Sequence, residues 1–180
     1  MNLIDLIKSD LSVRRRGGAG LAKFLICYFH PMDQIFRYLV WLRICHAVAG
    51  NKWLKYSIGW ICLLVRCHYE IKYGIVTPSS INIGRGLNVV HGGGVFLNCE
   101  SIGDNFTVFQ GVTLGKKAGS TNEGFPIVGD NVMVCAGAVI VGRVKLGDGC
   151  IVGANSFVSH DVPPKTLVAG VPAKVIRQLD

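Results

Sequence analysis

The sequence predicts a mainly β chain, a three-sided parallel coil behind a helical segment, and three observations carry that reading. The first is a beat of six: counting from Val128, the residues Val134, Ile140, Leu146, Val152 and Val158 are all aliphatic. In a chain that is 50% apolar, such a run arises by accident roughly once in sixty trials. The second is glycine: 23 residues against only 17% charge, with Gly129, Gly147 and Gly153 each directly following a beat residue. The third is a change of texture after Tyr73, where helical spacing gives way to the repeat.

From Asn2 to about Tyr73 the apolar residues recur at helical spacing, as in Phe36, Leu39, Val40, Ile44 and Val48. Breaks at Gly17-Gly18-Ala19-Gly20 and at Gly50-Asn51 divide the segment into about three helices. Residues 1–72 hold eleven Lys+Arg against four Asp+Glu, a charge of +7, and the rest of the chain accounts for only +1. Trp41, Trp53 and Trp60 stand among Arg37, Arg43, Lys52, Lys55 and Arg66. Two readings stand side by side: a peripheral contact with an anionic membrane surface, or helices packed on their own chain with ordinary basic rims.

Neither a helix nor a plain strand has a period of six, but a coil of three short faces does, each face giving one inward side chain and one corner. The beat continues upstream at Ile102, Val108 and Leu114, and at Ile83, Val89 and Val95, with a slip of one residue between Val95 and Ile102. The polar stretch from Lys116 to Glu123 leaves the register and is expected to loop outward, the protruding loop being 116–126. Stacked parallel coils leave open ends, so the helical segment is expected to cap one. Asp161-Val162-Pro163-Pro164 is expected to end the coil at the other, because proline has no amide to donate. The division is residues 1–73, helical, and 74–180, coil with a C-terminal tail.

Composition narrows the function. The apolar run from Tyr56 to Val65 is too short to span a bilayer, and Asp5, Lys8 and Asp10 interrupt any secretion leader. The expected location is therefore the cytoplasm, possible contact at the inner membrane face included. Seven cysteines, an odd number without a CxxC pair, fit buried thiols better than disulfides or a zinc ribbon. Arg14-Arg15-Arg16 lacks interleaved aromatics and reads as a solvated helix face rather than a nucleic-acid contact. His30, His46 and His68 fall in the helical part and read as packing or surface residues.

Four motifs carry a resemblance: Ile83-Gly84-Arg85-Gly86, His91-Gly92-Gly93-Gly94, Gln110-Gly111-Val112-Thr113-Leu114-Gly115 and Val168-Ala169-Gly170-Val171-Pro172-Ala173-Lys174. Through them the chain resembles the hexapeptide-repeat acyltransferases, in the serine acetyltransferase-like branch that includes bacterial polysaccharide O-acetyltransferases. The resemblance implies a left-handed parallel β-helix, a homotrimer, and acetyl-CoA as donor in a groove between neighbouring subunits. It aligns the catalytic base with His91, and three following glycines leave backbone room for a substrate there. It sets Gly115, Ala136 and Ala154 along the pantetheine arm and Lys174, with Lys165 or Arg177, at the CoA phosphates. No metal is expected, since a zinc site of the carbonic anhydrase type needs three histidines and the repeats hold only His91 and His160.

The departures bear on the acceptor. Where serine acetyltransferases carry an acidic residue shortly before the first repeat, this chain has Ile75 and Val76. In place of their Asp before the histidine and Arg-His pair in the loop it has Val90 and Glu123-Gly124-Phe125. An amino acid needs charged partners, so the sequence points to a sugar or polysaccharide hydroxyl, held by Asn98, Gln110 and Phe125. Serine, the acceptor in cysteine biosynthesis, is the alternative.

Overall fold

The computed structural model describes residues 2–14, 20–30, 33–78, 80–117, 119 and 124–180. Among the described residues five helices come first: α1 (Leu3–Arg14), α2 (Leu21–Phe29), α3 (Gln34–Ala49), α4 (Lys52–Ser57) and α5 (Gly59–Tyr73). About three were expected; the unexpected divisions are between α2 and α3 and between α4 and α5, whereas at the expected Gly50-Asn51 break Asn51 opens α4 by accepting the amides of Trp53 and Leu54 at 3.0 and 3.3 Å. The expected break at 17–19 lies outside the described residues, as do Arg15 and Arg16.

Short strands follow: β1 (Ile75–Val76), β2 (Asn82–Ile83), β3 (Asn88–Val89), β4 (Val95–Leu97), β5 (Ser101–Ile102), β6 (Thr107–Val108) and β7 (Thr113–Gly115). After the loop come β8 (Ile127–Val128), β9 (Met133–Val134), β10 (Val139–Val141), β11 (Lys145–Leu146), β12 (Ile151–Val152) and β13 (Phe157–Val158), then β14 (Thr166–Gly170) and β15 (Ala173–Gln178). They stack as three faces: β1-β4-β7-β10-β13, β2-β5-β8-β11 and β3-β6-β9-β12-β14-β15. All pairings are parallel except β14 with β15. This is a parallel β-helix, and beat residues form its inner ladders: Ile83, Ile102, Val128 and Leu146 on the second face, and Val89, Val108, Val134 and Val152 on the third, where Val168, outside the beat, extends the ladder. None of these is more than 4% exposed. Each such burial stabilises by about 1.5–3 kcal/mol, which is what locks the period.

Two expectations are corrected. Leu97, not Val95, stands opposite Leu114 in the first-face ladder, while Val95 pairs with Ile75. The corner around His91 holds two extra residues: Val89 to Leu97 is eight positions where Val108 to Leu114 is six, and the next interval, Leu97 to Ile102, is five. The one-residue slip is the sum of those two irregularities. Nor do the prolines end the coil. Val162 bridges Leu146 in parallel and β14 adds to β12 before the antiparallel β15 closes the third face. Pro163 and Pro164 sit exposed on a corner, where no amide is required for a ladder.

Glycine after the beat residue has a steric cause at the corner between the second and third faces. The carboxylate of Asp130 accepts the Asp104 amide at 2.7 Å and that of Asp148 accepts the Asp130 amide at 2.9 Å. These side chains cross Gly103 and Gly129, where a Cβ would run into them.

Helix α3 closes the first coil: Tyr38, Leu39 and Leu42 share one core cluster with Ile75, Ile81, Ile83 and Leu87. Beneath them Arg43, 2% exposed, donates to both carboxylate oxygens of Asp10 at 2.8 and 2.9 Å and to the carbonyls of Ile83 and Gly84 at 2.8 and 2.6 Å. Asp10 also accepts the Leu87 amide at 2.8 Å. Two buried side chains thus satisfy the backbone groups that the first coil leaves without a preceding one.

His46 on α3 is half-buried, and burial, then the charges of Arg43 and Arg66, push its pKa down to about 4. A folded value below the unfolded one of about 6.5 means the neutral ring is the one the fold accepts. Stability is therefore complete above pH 6.5 and is lost as pH falls toward 4, by about 2 kcal/mol after allowance for partial exposure. In urea melts over that range the stability difference between wild type and His46→Gln should shift by about 2 kcal/mol in favour of the variant as pH falls from 6.5 to 4; a difference that stays constant would contradict it.

Candidate active site

One corner of the coil, between the third and first faces, is stacked from glycine-bearing turns. Its rungs are Tyr73-Gly74, His91 to Gly94, Gln110-Gly111, Ala136-Gly137 and Ala154-Asn155. Backbone hydrogen bonds tie each to the next: Gly93 N to Tyr73 O at 2.7 Å, Gly111 N to Gly93 O at 2.9 Å, Gly137 N to Gln110 O at 3.0 Å and Asn155 N to Ala136 O at 2.9 Å. The extra residues of the His91 rung bulge under the end of α5. A Cβ at Gly92 would lie 2.6 Å from the Tyr73 carbonyl oxygen, so the chain passes there only as glycine.

His91 is exposed on this rung, and none of the described residues hydrogen-bonds its imidazole. Val90 beside it is half-buried, and Ile75 points into the core, fully buried. The amides of Gly93 and Gly111 are already used between coils, so neither is free to donate to an oxyanion. An exposed imidazole beside open backbone can take a proton from an incoming hydroxyl, and a half-apolar rung can receive an extended thioester arm.

The residues singled out in the sequence fall on three corners. His91, Gln110, Ala136 and Ala154 share the column just described, with Lys174 at its foot, paired to Ala169. Asn98 and Gly115 lie on the next corner, where Asn98 N donates to Leu114 O at 3.1 Å and Gly142 N to Gly115 O at 3.0 Å. Phe125 is half-buried two residues before β8, and Glu123 lies outside the described residues. Lys165 and Arg177 are at the third corner, around a cavity they share with Asp148 and Asp180. One chain thus brings His91 together with Ala136 and Ala154, two of the positions expected along the arm, and leaves Gly115, Lys165 and Arg177 elsewhere. Sequence reasoning missed Tyr73, whose carbonyl roofs the His91 rung; the signal was Gly74, in the left-handed conformation as the C-cap of α5.

Comparison with known proteins bears on these positions. Residues 125–160 match the family model for the bacterial transferase hexapeptide (six repeats). That stretch, from the end of the loop through β8–β13, carries the hexapeptide repeat of that family model. Among curated proteins, a serine acetyltransferase of Staphylococcus aureus (strain Mu50) is 39% identical over 107 residues, 58% of this chain and 50% of that protein. The chain therefore spans about half the length of the curated relatives it matches. A soybean serine acetyltransferase complexed with serine superposes with a TM-score of 0.77 at 28% identity, covering 97% of this chain and 69% of that one. A serine acetyltransferase in complex with CoA does so with a TM-score of 0.76 at 26% identity, with the same coverage. The fold is the left-handed β-helix of these neighbours behind N-terminal helices.

The sugar acceptor expected from the sequence is corrected by these relatives, which are serine acetyltransferases. Within one copy Asn98 and Gln110 stand on different corners and Phe125 is half-buried, so a single chain does not bring together the three residues assigned to a sugar. Charged contacts missing at Val90 and at the loop removed evidence for serine without supplying any for another acceptor.

Proposed function

We propose that this chain transfers acetyl from acetyl-CoA to the hydroxyl of serine, with His91 as general base. The observation that carries the reading is His91 exposed on the glycine-built corner, in a coil whose relatives include serine acetyltransferases bound to CoA and to serine.

Neutral His91 takes the proton of the serine hydroxyl as its oxygen attacks the thioester carbonyl. The tetrahedral adduct collapses by breaking the carbon–sulfur bond, and the imidazolium returns its proton to the departing thiolate. The products are O-acetylserine and CoA. Residues 1–73 act as the cap and 74–180 as the transferase unit.

The CoA arm runs down the column past Ala136 and Ala154 toward Lys174, whose ammonium meets a phosphate. Gly115 joins that lining when the corner of a second copy faces this one, which is the arrangement of a homotrimer with the donor between neighbours. Lys165 or Arg177 supplies a further phosphate contact from the neighbouring copy. Acetyl-CoA places the reaction in the cytoplasm, and the basic helices give it a peripheral contact with the inner membrane face; no helix among the described residues is long and apolar enough to cross a membrane.

Free CoA measured after mixing the purified protein with acetyl-CoA should rise with serine concentration and saturate. Release that is indifferent to serine would overturn the acceptor.

A further inference from the structure

Helix α5 is apolar on two sides. Cys62, Arg66, Tyr69 and Tyr73, at steps of four, three and four, turn inward toward α3 and the first coil. The other side, continued from α4, carries Trp53, Tyr56, Trp60, Leu63, Leu64 and Ile71, with Trp53 88%, Tyr56 81% and Ile71 85% exposed. An apolar face of this width is uncommon on a chain that meets only water.

Its charges are of one sign. Between residues 34 and 99 the sole acidic side chain is Glu70, which turns inward to Arg66 at 3.5 Å, whereas Lys52, Lys55 and Lys72 are exposed. A cavity of about 240 Å³ opens beside α4 and α5, lined by Val48, Lys55, Trp60, Cys62, Leu63 and Arg66 among others. Arg66 is only 7% exposed, yet its Nη1 is buried without a hydrogen-bond partner. A buried guanidinium with an open donor is costly, and an anion in the cavity would satisfy it.

We propose that the α4–α5 face docks on an anionic phospholipid bilayer, with a lipid phosphate in the cavity of Arg66 and Lys55. Trp53, Tyr56 and Trp60 then sit at headgroup depth, Leu63, Leu64 and Ile71 reach the acyl boundary, and the lysines meet the negative surface. A second copy meeting this face with the same face is the poorer occupant, because it would set lysine against lysine with no exposed carboxylate to separate them. The proposal does not depend on the acetyl-transfer reading, since it is tested by binding alone.

The experiment is flotation of the full chain with vesicles of phosphatidylcholine, alone or mixed with phosphatidylglycerol. Wild type should float with the mixed vesicles, at least about tenfold more than with phosphatidylcholine, and be released by salt. The variant Trp53→Ser/Trp60→Ser, altered only at exposed positions, should melt like wild type and lose the binding. Arg66→Leu should lose the preference for phosphatidylglycerol while retaining weak binding to both vesicles. Equal binding of wild type to the two vesicle types, or binding to neither, would overturn the proposal. So would a thermal shift by inorganic phosphate that Arg66→Leu abolishes without change in flotation, or a doubling of mass that Trp53→Ser/Trp60→Ser prevents.

Discussion

Replacing His91 with alanine is expected to lower kcat for acetyl transfer to serine by about 100- to 10,000-fold, the range set by loss of a positioned general base. KM for acetyl-CoA should change little, because in the proposed arrangement the backbone of the column and Lys174, not the imidazole, hold the arm. His91 is exposed and contributes nothing to the core, so the variant should melt with wild type. That combination separates a chemical role from a structural one. Equal activity in His91→Ala would remove the base from the mechanism, whereas a variant that unfolds would make His91 a structural residue. Initial rates with saturating serine, together with a thermal melt, decide between these.

The second large effect is expected at the closed end of the coil. Arg43→Ala leaves the Asp10 carboxylate buried beside the Leu87 amide without its cation, and strands the carbonyls of Ile83 and Gly84. Breaking a buried pair from one side costs about 3–5 kcal/mol, and for a chain of this size that lowers Tm by about 6–20 °C. Asp10→Ala should lose a similar amount, since it isolates the guanidinium. The double variant should lose clearly less than the sum, because each single change already removes the shared interaction. Calorimetry of the three variants measures this directly. Additive losses would mean that the two side chains act separately and that Arg43 caps the coil through the carbonyls alone.

The pair also marks where sequence reasoning stops. Asp10 and Arg43 lie 33 positions apart on different helices, and no period connects them. Their meeting depends on how α1 and α3 cross the first coil, a tertiary result. The repeat was legible because one side chain per face must point inward, so the aliphatic beat is the fold written in residues. The same rule misread Val95 for Leu97, because it assumes corners of constant length and the His91 corner is longer.

The place of His91 on an open corner was legible for the reason Val95 was not: the glycines that lengthen the corner are visible in the chain. The prolines were misread because their effect depends on whether a strand or a corner receives them, and here a corner does. The acceptor was misread for a different reason. Val90 and Phe125 show only which contacts are missing, and an absent charge does not describe the ligand that replaces it.

The most direct test of the account is a crystal structure with CoA bound. The account places the CoA sulfur within about 3.5 Å of the His91 imidazole, close enough for the proton transfer that ends the reaction. The pantetheine arm should descend past Ala136 and Ala154, with the phosphates near Lys174. CoA seated on a corner that His91 does not share would contradict it.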